Sequence, residues 1–146
     1  MPGSNYDYSK AFLATGSTAY AFGELVKPAV GATLQPAQCA RVSAITDFVL
    51  GVAQENLDVA KVLTGKAYIG VALEGAAKVI FDGGTVPAIG DYMTIGSTTQ
   101  TRVKRLGTQP ANGGAFQGFQ VVGICFSVPA VAGDIFDIWL TPAMRV

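Results

Sequence analysis

Apolar and polar positions alternate along much of this chain with a period of two, and glycine or proline interrupts the alternation every few residues. Residues 135–140 show the pattern most clearly. Ile135, Asp137 and Trp139 fall on one face and Phe136, Ile138 and Leu140 on the other, because successive side chains of a strand point to opposite sides. Short segments rich in Val, Ile, Phe, Tyr and Thr, bounded by turn formers, predict strands at 21–28, 38–44, 49–55, 67–73, 76–81, 92–95, 99–106, 121–127 and 135–140. Only residues 56–63, with Leu57, Val59, Ala60 and Leu63 apolar, suit a short helical turn.

Residues 1–21 are polar, contain glycine and carry isolated aromatics at Tyr6, Tyr8 and Phe12, so they read as an extended N-terminal arm that orders against something else. Residues 107–119, with Pro110 and Gly113-Gly114, read as a long loop. Residues 22–146 then form a single β domain, and its two halves rhyme. Phe22-Gly23-Glu24-Leu25-Val26 parallels Ile89-Gly90-Asp91-Tyr92-Met93, and Leu50-Gly51-Val52-Ala53 parallels Val122-Gly123-Ile124-Cys125. The run from Thr64-Gly65 to Leu73 parallels that from Ala132-Gly133 to Leu140, with offsets of 67, 72 and 68 across the three pairs. The pseudo-repeats run from about 22 to 81 and 88 to 141. Each Gly-acid pair supplies a turn into a strand, and the glycine inside each later strand permits a bulge or a close backbone approach. The expected fold is all-β: a β-sandwich or a small β-barrel made of two pseudo-repeated strand units.

Composition adds a surface argument. Half of the residues are hydrophobic and 14% are charged, against about 25% charged in typical domains, which is too few to coat an ordinary monomer. Part of the surface is therefore expected to be an interface. At 146 residues a single domain can bury roughly 68–70% of its unfolded surface. A net charge of zero supplies no field to draw in nucleic acid or an anionic membrane. Apolar runs such as Ile69 to Leu73 end at a charge, here Glu74, far short of the ~20 residues of a membrane helix. The stretch from Ala11 to Phe22 has a signal-like Ala19-Tyr20-Ala21, but Asp7 precedes it and Thr15 to Thr18 interrupt it, so secretion is not expected.

No catalytic, cofactor-binding or metal site is expected. Histidine is absent, which removes the commonest general base and zinc ligand. Gly65-Lys66 is followed by Ala67 and lacks the upstream glycine of a phosphate loop. Asp134 and Asp137, three apart on a strand, point to opposite faces and read as solvated or edge-guarding carboxylates. Cys39 and Cys125 stand in no metal-ligand spacing and read as buried free thiols, with a disulfide between them left open. Arg102, Lys104 and Arg105 form a basic cluster that either meets an acidic protein surface or blunts a sheet edge. Phe48, Tyr68, Phe81, Phe126, Phe136 and Trp139 lie in or beside strand patterns and read as core. Tyr6, Tyr8, Phe12, Phe116 and Phe119, in the arm and loop, read either as anchors for a partner or as locally packed side chains. With Leu13 and the basic cluster they make up the candidate interface.

The order of these motifs resembles a known family. Gly23-Glu24, then Asp47-Phe48-Val49-Leu50-Gly51-Val52-Ala53, then Val71-Ala72-Leu73-Glu74-Gly75, Gly90-Asp91-Tyr92-Met93, Val121-Val122-Gly123 and Gly133-Asp134 are similar to the small capsid decoration, or cement, proteins of tailed phages, over roughly Phe22 to Leu140. The arm is longer than the minimal pattern and the 107–119 loop is extra, so inter-subunit contacts there do not carry over. The resemblance implies a structural protein, assembled in the host cytoplasm, that sits as a homotrimer on the outer surface of the virion head. Its partners would be itself and the major capsid protein, with neighbouring capsid subunits clamped together and no small-molecule substrate, nucleic acid or membrane involved. Several weak contacts made at once would sum to a firm attachment through effective concentration. The aromatics of the arm and loop also suit an alternative role, a receptor- or glycan-binding module of a head or tail fibre.

Overall fold

The computed structural model describes residues 8–29, 37–107 and 120–145. Its elements run β1 (Tyr8–Ala14), β2 (Leu25–Pro28), β3 (Gln38–Arg41), β4 (Gly51–Ala53), α1 (Val59–Leu63), β5 (Tyr68–Ile80), β6 (Tyr92–Ile95), β7 (Val103–Gly107), β8 (Gln120–Cys125) and β9 (Ile135–Arg145). The fold is all-β. Neighbouring strands follow the order β1-β3-β2-β4-β5-β9-β8-β6-β7, and a further β1–β5 pairing closes the first five into a barrel. Of the two architectures open to the sequence, the first unit takes the barrel. The 107–119 loop lies, apart from Gly107, outside the described residues.

β5 is one strand of 13 residues where the alternation suggested two. Its first half pairs with β1 and β4, and from Gly75 onward it pairs with β9. Gly75 stands at the junction with φ +92°, a conformation that costs glycine no steric strain. The second sheet continues through β8, β6 and β7, and a parallel bridge between Phe81 and Val103 brings β7 back beside the end of β5.

The arm expected over 1–21 is, from Tyr8 onward, part of the barrel: β1 pairs antiparallel with β5 and parallel with β3. Phe12, 8% exposed, and Ala14, 1% exposed, belong to the first core cluster with Tyr20, Val26, Ile69 and Val71. Isolated aromatics among polar residues suggested an arm. In the strand Phe12 and Ala14 point inward, and the polar Ser9 is among the outward set.

This placement extends the internal repeat towards the N-terminus. β1 stands to the first half of β5 as the second half of β5 stands to β9. Leu13 faces Tyr68 and Phe12 faces Ile69, and 67 positions later Ile80 faces Ile135 and Val79 faces Phe136. Ala14 pairs in parallel with Cys39, and Phe81 with Val103. Further round, Leu25 faces Val52 and Val26 faces Gly51, as Tyr92 faces Ile124 and Met93 faces Gly123. The interior of the second unit holds Val79, Met93, Phe136 and Ile138, and its cluster takes in Leu25, Val52 and Ala72 from the outside of the first unit. Both cysteines are buried free thiols.

Candidate interaction surface

Three Gly-acid pairs build the same turn. The backbone N–H groups of Ala21, Ala88 and Val131 donate to the carboxylates of Glu24, Asp91 and Asp134 at 2.8, 2.9 and 3.0 Å. The N–H groups of the same acids donate back to the carbonyls of Ala21, Ala88 and Val131 at 3.1, 3.0 and 3.1 Å. Gly23, Gly90 and Gly133 hold the third turn position at φ +89°, +95° and +95°, which a type II turn requires. In both units an arginine on the paired strand completes the acid's shell: Arg41 on Glu24, and Arg105 Nε on Asp91 Oδ2 at 2.7 Å. The Ala88 N–H and the Arg105 guanidinium hold the Asp91 carboxyl below the usual carboxylate range, against the opposing effect of burial. These acids hold the turns that lead into the strands.

Arg105, grouped by sequence with Arg102 and Lys104 as a basic patch, is thus committed to Asp91. Arg102 sits in the turn before β7, where its N–H donates to the Thr99 carbonyl at 3.0 Å, and its side chain is half-buried. Lys104, also half-buried, faces Thr94 on β6 and helps line a polar hollow of about 340 Å³ with Asp82, Ser97 and Thr98. Leu13 is half-buried on β1 opposite Tyr68, while Phe12 is core, with the Lys10 ammonium 5.8 Å from its ring centroid. Tyr8 begins β1. Tyr6, Phe116 and Phe119 lie outside the described residues. Among the described residues of the predicted interface, Phe12 packs in the core and Arg105 is held by Asp91, whereas Leu13, Arg102 and Lys104 stay half-buried.

The fold assembles a different surface from residues read as core. Ile135, Asp137 and Trp139 point outward from β9, and Trp139 lies beside Ile124 of β8 and Ala76 of β5. The Phe126 and Trp139 rings stand 5.8 Å apart at 41°, and Phe126 is 52% and Trp139 36% exposed. Val128, Val131 and Ile89 are exposed on the adjoining turns. One ion pair crosses this face, Lys78 Nζ to Asp137 Oδ1 at 2.8 Å. The lysine pulls the Asp137 carboxyl below its ordinary range, burial opposes it, and the Ser127 hydroxyl adds a further hydrogen bond. Beside the pair lies a groove of about 280 Å³ lined by Phe22, Gln54, Ala76 and Lys78.

Of the six aromatics read as core, only Phe81 and Phe136 are buried, edge to face at 6.0 Å between centroids. Phe48, Tyr68, Phe126 and Trp139 are exposed. A signal for Trp139 was in the alternation, which sets it on the face of Asp137 and opposite Phe136; only one of those faces can be interior. An apolar, aromatic face with a single neutralised ion pair is suited to burial against protein or to stacking on a flat ligand. Among the described residues no three Cys, Asp or Glu side chains cluster as a metal site, and no helix is long and apolar enough to cross a membrane.

No protein-family model matches the chain, and no curated protein sequence matches it. Among solved structures it is similar to the head fiber gp8.5 N base of bacteriophage phi29. The TM-score is 0.58 at 15% sequence identity, over 96% of this chain and 98% of that one. The two share a fold along nearly their whole lengths.

Proposed function

We propose that this chain is a structural protein of a phage head: a decoration protein held on the outer capsid surface as a homotrimer, where it ties major capsid subunits together. The observation that carries the reading is the end-to-end likeness to a head fibre base, 96% of one chain on 98% of the other. The exposed Phe126–Trp139 face offers one contact surface, and the low share of charged residues fits a subunit that buries surface on several sides. No catalysis, nucleic acid or membrane enters this role, and assembly takes place in the host cytoplasm.

Mixing the purified protein with undecorated heads tests the proposal. Binding should saturate and should raise the heads' resistance to heat or chelator; heads that take up no protein overturn it. The Phe126–Trp139 pair favours one second reading, a glycan-binding module of a head fibre, since exposed aromatic faces stack on sugar rings. A glycan array with bound spots lost in Trp139→Ser would support that reading, and a blank array removes it.

A further inference from the structure

The chain already contains one interface between its two strand units, which share their pairing register. On the outside of the barrel, Leu25, Val52 and Ala72 form a continuous cross-strand row over β2, β4 and β5. Each is at most 2% exposed, and all three belong to the buried cluster of the second unit with Phe81, Met93, Val122 and Ile138. The second unit carries the same row in the same register: Tyr92 on β6, Ile124 on β8 and Trp139 on β9. Among the described residues no further unit covers it.

Comparing the two units shows that the apolar surroundings of the second row are not required by the backbone. Gln54 and Phe126 occupy the same place, since the Gln54 N–H donates to the Gly70 carbonyl and the Phe126 N–H to that of Asp137, both at 2.9 Å. Two residues on, the first unit has Asn56 and the second Val128. The same fold accepts amides at both positions in one unit and exposes apolar side chains in the other.

The complementary end can be read from the same internal contact. The second unit meets the first partly through Gln120, whose amide accepts from the Val49 N–H at 2.9 Å and donates to the Val49 carbonyl at 3.2 Å. The first-unit position matching Gln120, three residues before the paired glycine, is Phe48. Phe48 is 48% exposed beside a groove of about 570 Å³ that also involves Lys27, Pro28, Ala40 and Asp47. Lys27 and Asp47 are paired at 2.9 Å, as Lys78 and Asp137 are on the other face. Both faces are therefore apolar with their charges neutralised, and copies of a chain with zero net charge do not repel one another.

We propose that this protein associates head to tail, the Trp139–Phe126 face of one copy seated on the Phe48 end of the next, repeating between chains the contact that joins the two units within one. Such a contact uses two different patches, and so closes into a ring or runs on as a filament. The inference rests on the self-association in the function proposed above and is independent of any capsid.

Sedimentation of the purified full chain over a concentration series tests it. The wild type should associate. Phe126→Gln with Val128→Asn, which installs the first unit's own residues, should weaken association at least about tenfold with an unchanged melting temperature; Trp139→Ser and Phe48→Gln should each do the same. An equimolar mixture of the Phe126→Gln/Val128→Asn chain with the Phe48→Gln chain should stop at heterodimers, because each retains one working face. A monomeric wild type, or variants that associate like it, overturns the proposal. So does loss of association in the Phe126→Gln/Val128→Asn chain but not in the Phe48→Gln chain, the mark of a symmetric contact. Association that persists while heads take up no protein would sink the capsid role and leave this inference standing.

Discussion

Gly51 and Gly123 illustrate how a single residue constrains this fold. A Cβ on Gly51 would fall well inside contact distance of the Ala72 carbonyl oxygen, and one on Gly123 would fall likewise against that of Trp139. Neither obstacle is a flexible side chain that could swing away. Gly51→Ala and Gly123→Ala should each lower unfolding free energy by more than about 2 kcal/mol in urea titration, whereas Gly16→Ala, at φ +102° with open space around it, should cost only about 1 kcal/mol. The acids add a pH dependence. Asp91, Asp134 and Asp137 are all held below their ordinary 3.8, chiefly by backbone N–H groups for the first two and by Lys78 for the third. A depressed carboxyl stabilises the folded chain above its unfolded pKa, and that stability is lost as pH falls through the folded value. The melting temperature should therefore be flat from neutrality down to about pH 4 and fall below it. In the alkaline direction burial raises the Cys39 thiol from 9.0 to about 11. The unfolded chain ionises first, so stability should decline between those two values. Melting curves across the pH range check both limbs. The Gly-acid turns were legible in the sequence because a type II turn has a local chemical signature. The ion pair of Arg105 with Asp91 was not, because its partners lie 14 residues apart and meet only through the β6–β7 register.

Among the elements, β1 decides the most. It closes the barrel by pairing with both β3 and β5. Without it the β3 and β5 edges lose their ladder partner, and the cluster holding Tyr20, Ile69 and Val71 loses Phe12 and Ala14. Deleting residues 1–14 should therefore unfold the first unit, read as lost cooperativity in thermal melting. A shortened chain that melts like the full one would return β1 to the role of a dispensable arm. The sequence did not reveal β1 as a strand because Ala11-Phe12-Leu13-Ala14 run together and Lys10 shares the face of Phe12, so no clear two-residue period marks Tyr8–Ala14. Tertiary pairing supplied what local propensity lacked. The opposite happened with β5: a strong pattern with Gly75 in the middle read as two strands, and continuous pairing made it one.

At the scale of the whole molecule, one unit's outer row plugs the end of the next, and this arrangement explains why a small chain can be so poor in charge. Leu25, Val52 and Ala72 are outside the barrel and inside the core of the second unit, so a face that would be polar on an isolated barrel is apolar here. The same logic makes the open counterpart at Ile124 and Trp139 the place where another copy is expected. The amino-acid sequence by itself determined the all-β class, the Gly-acid turns, the doubled strand order and the inward and outward sets along β9, since each follows from local periodicity and turn chemistry. Only the tertiary structure decided that the first unit is a barrel, that the repeat begins at β1, and which aromatics are buried. Alternation shows that Phe136 and Trp139 face opposite ways. Which way is in depends on what packs against the sheet, and that is a contact between residues far apart in the chain.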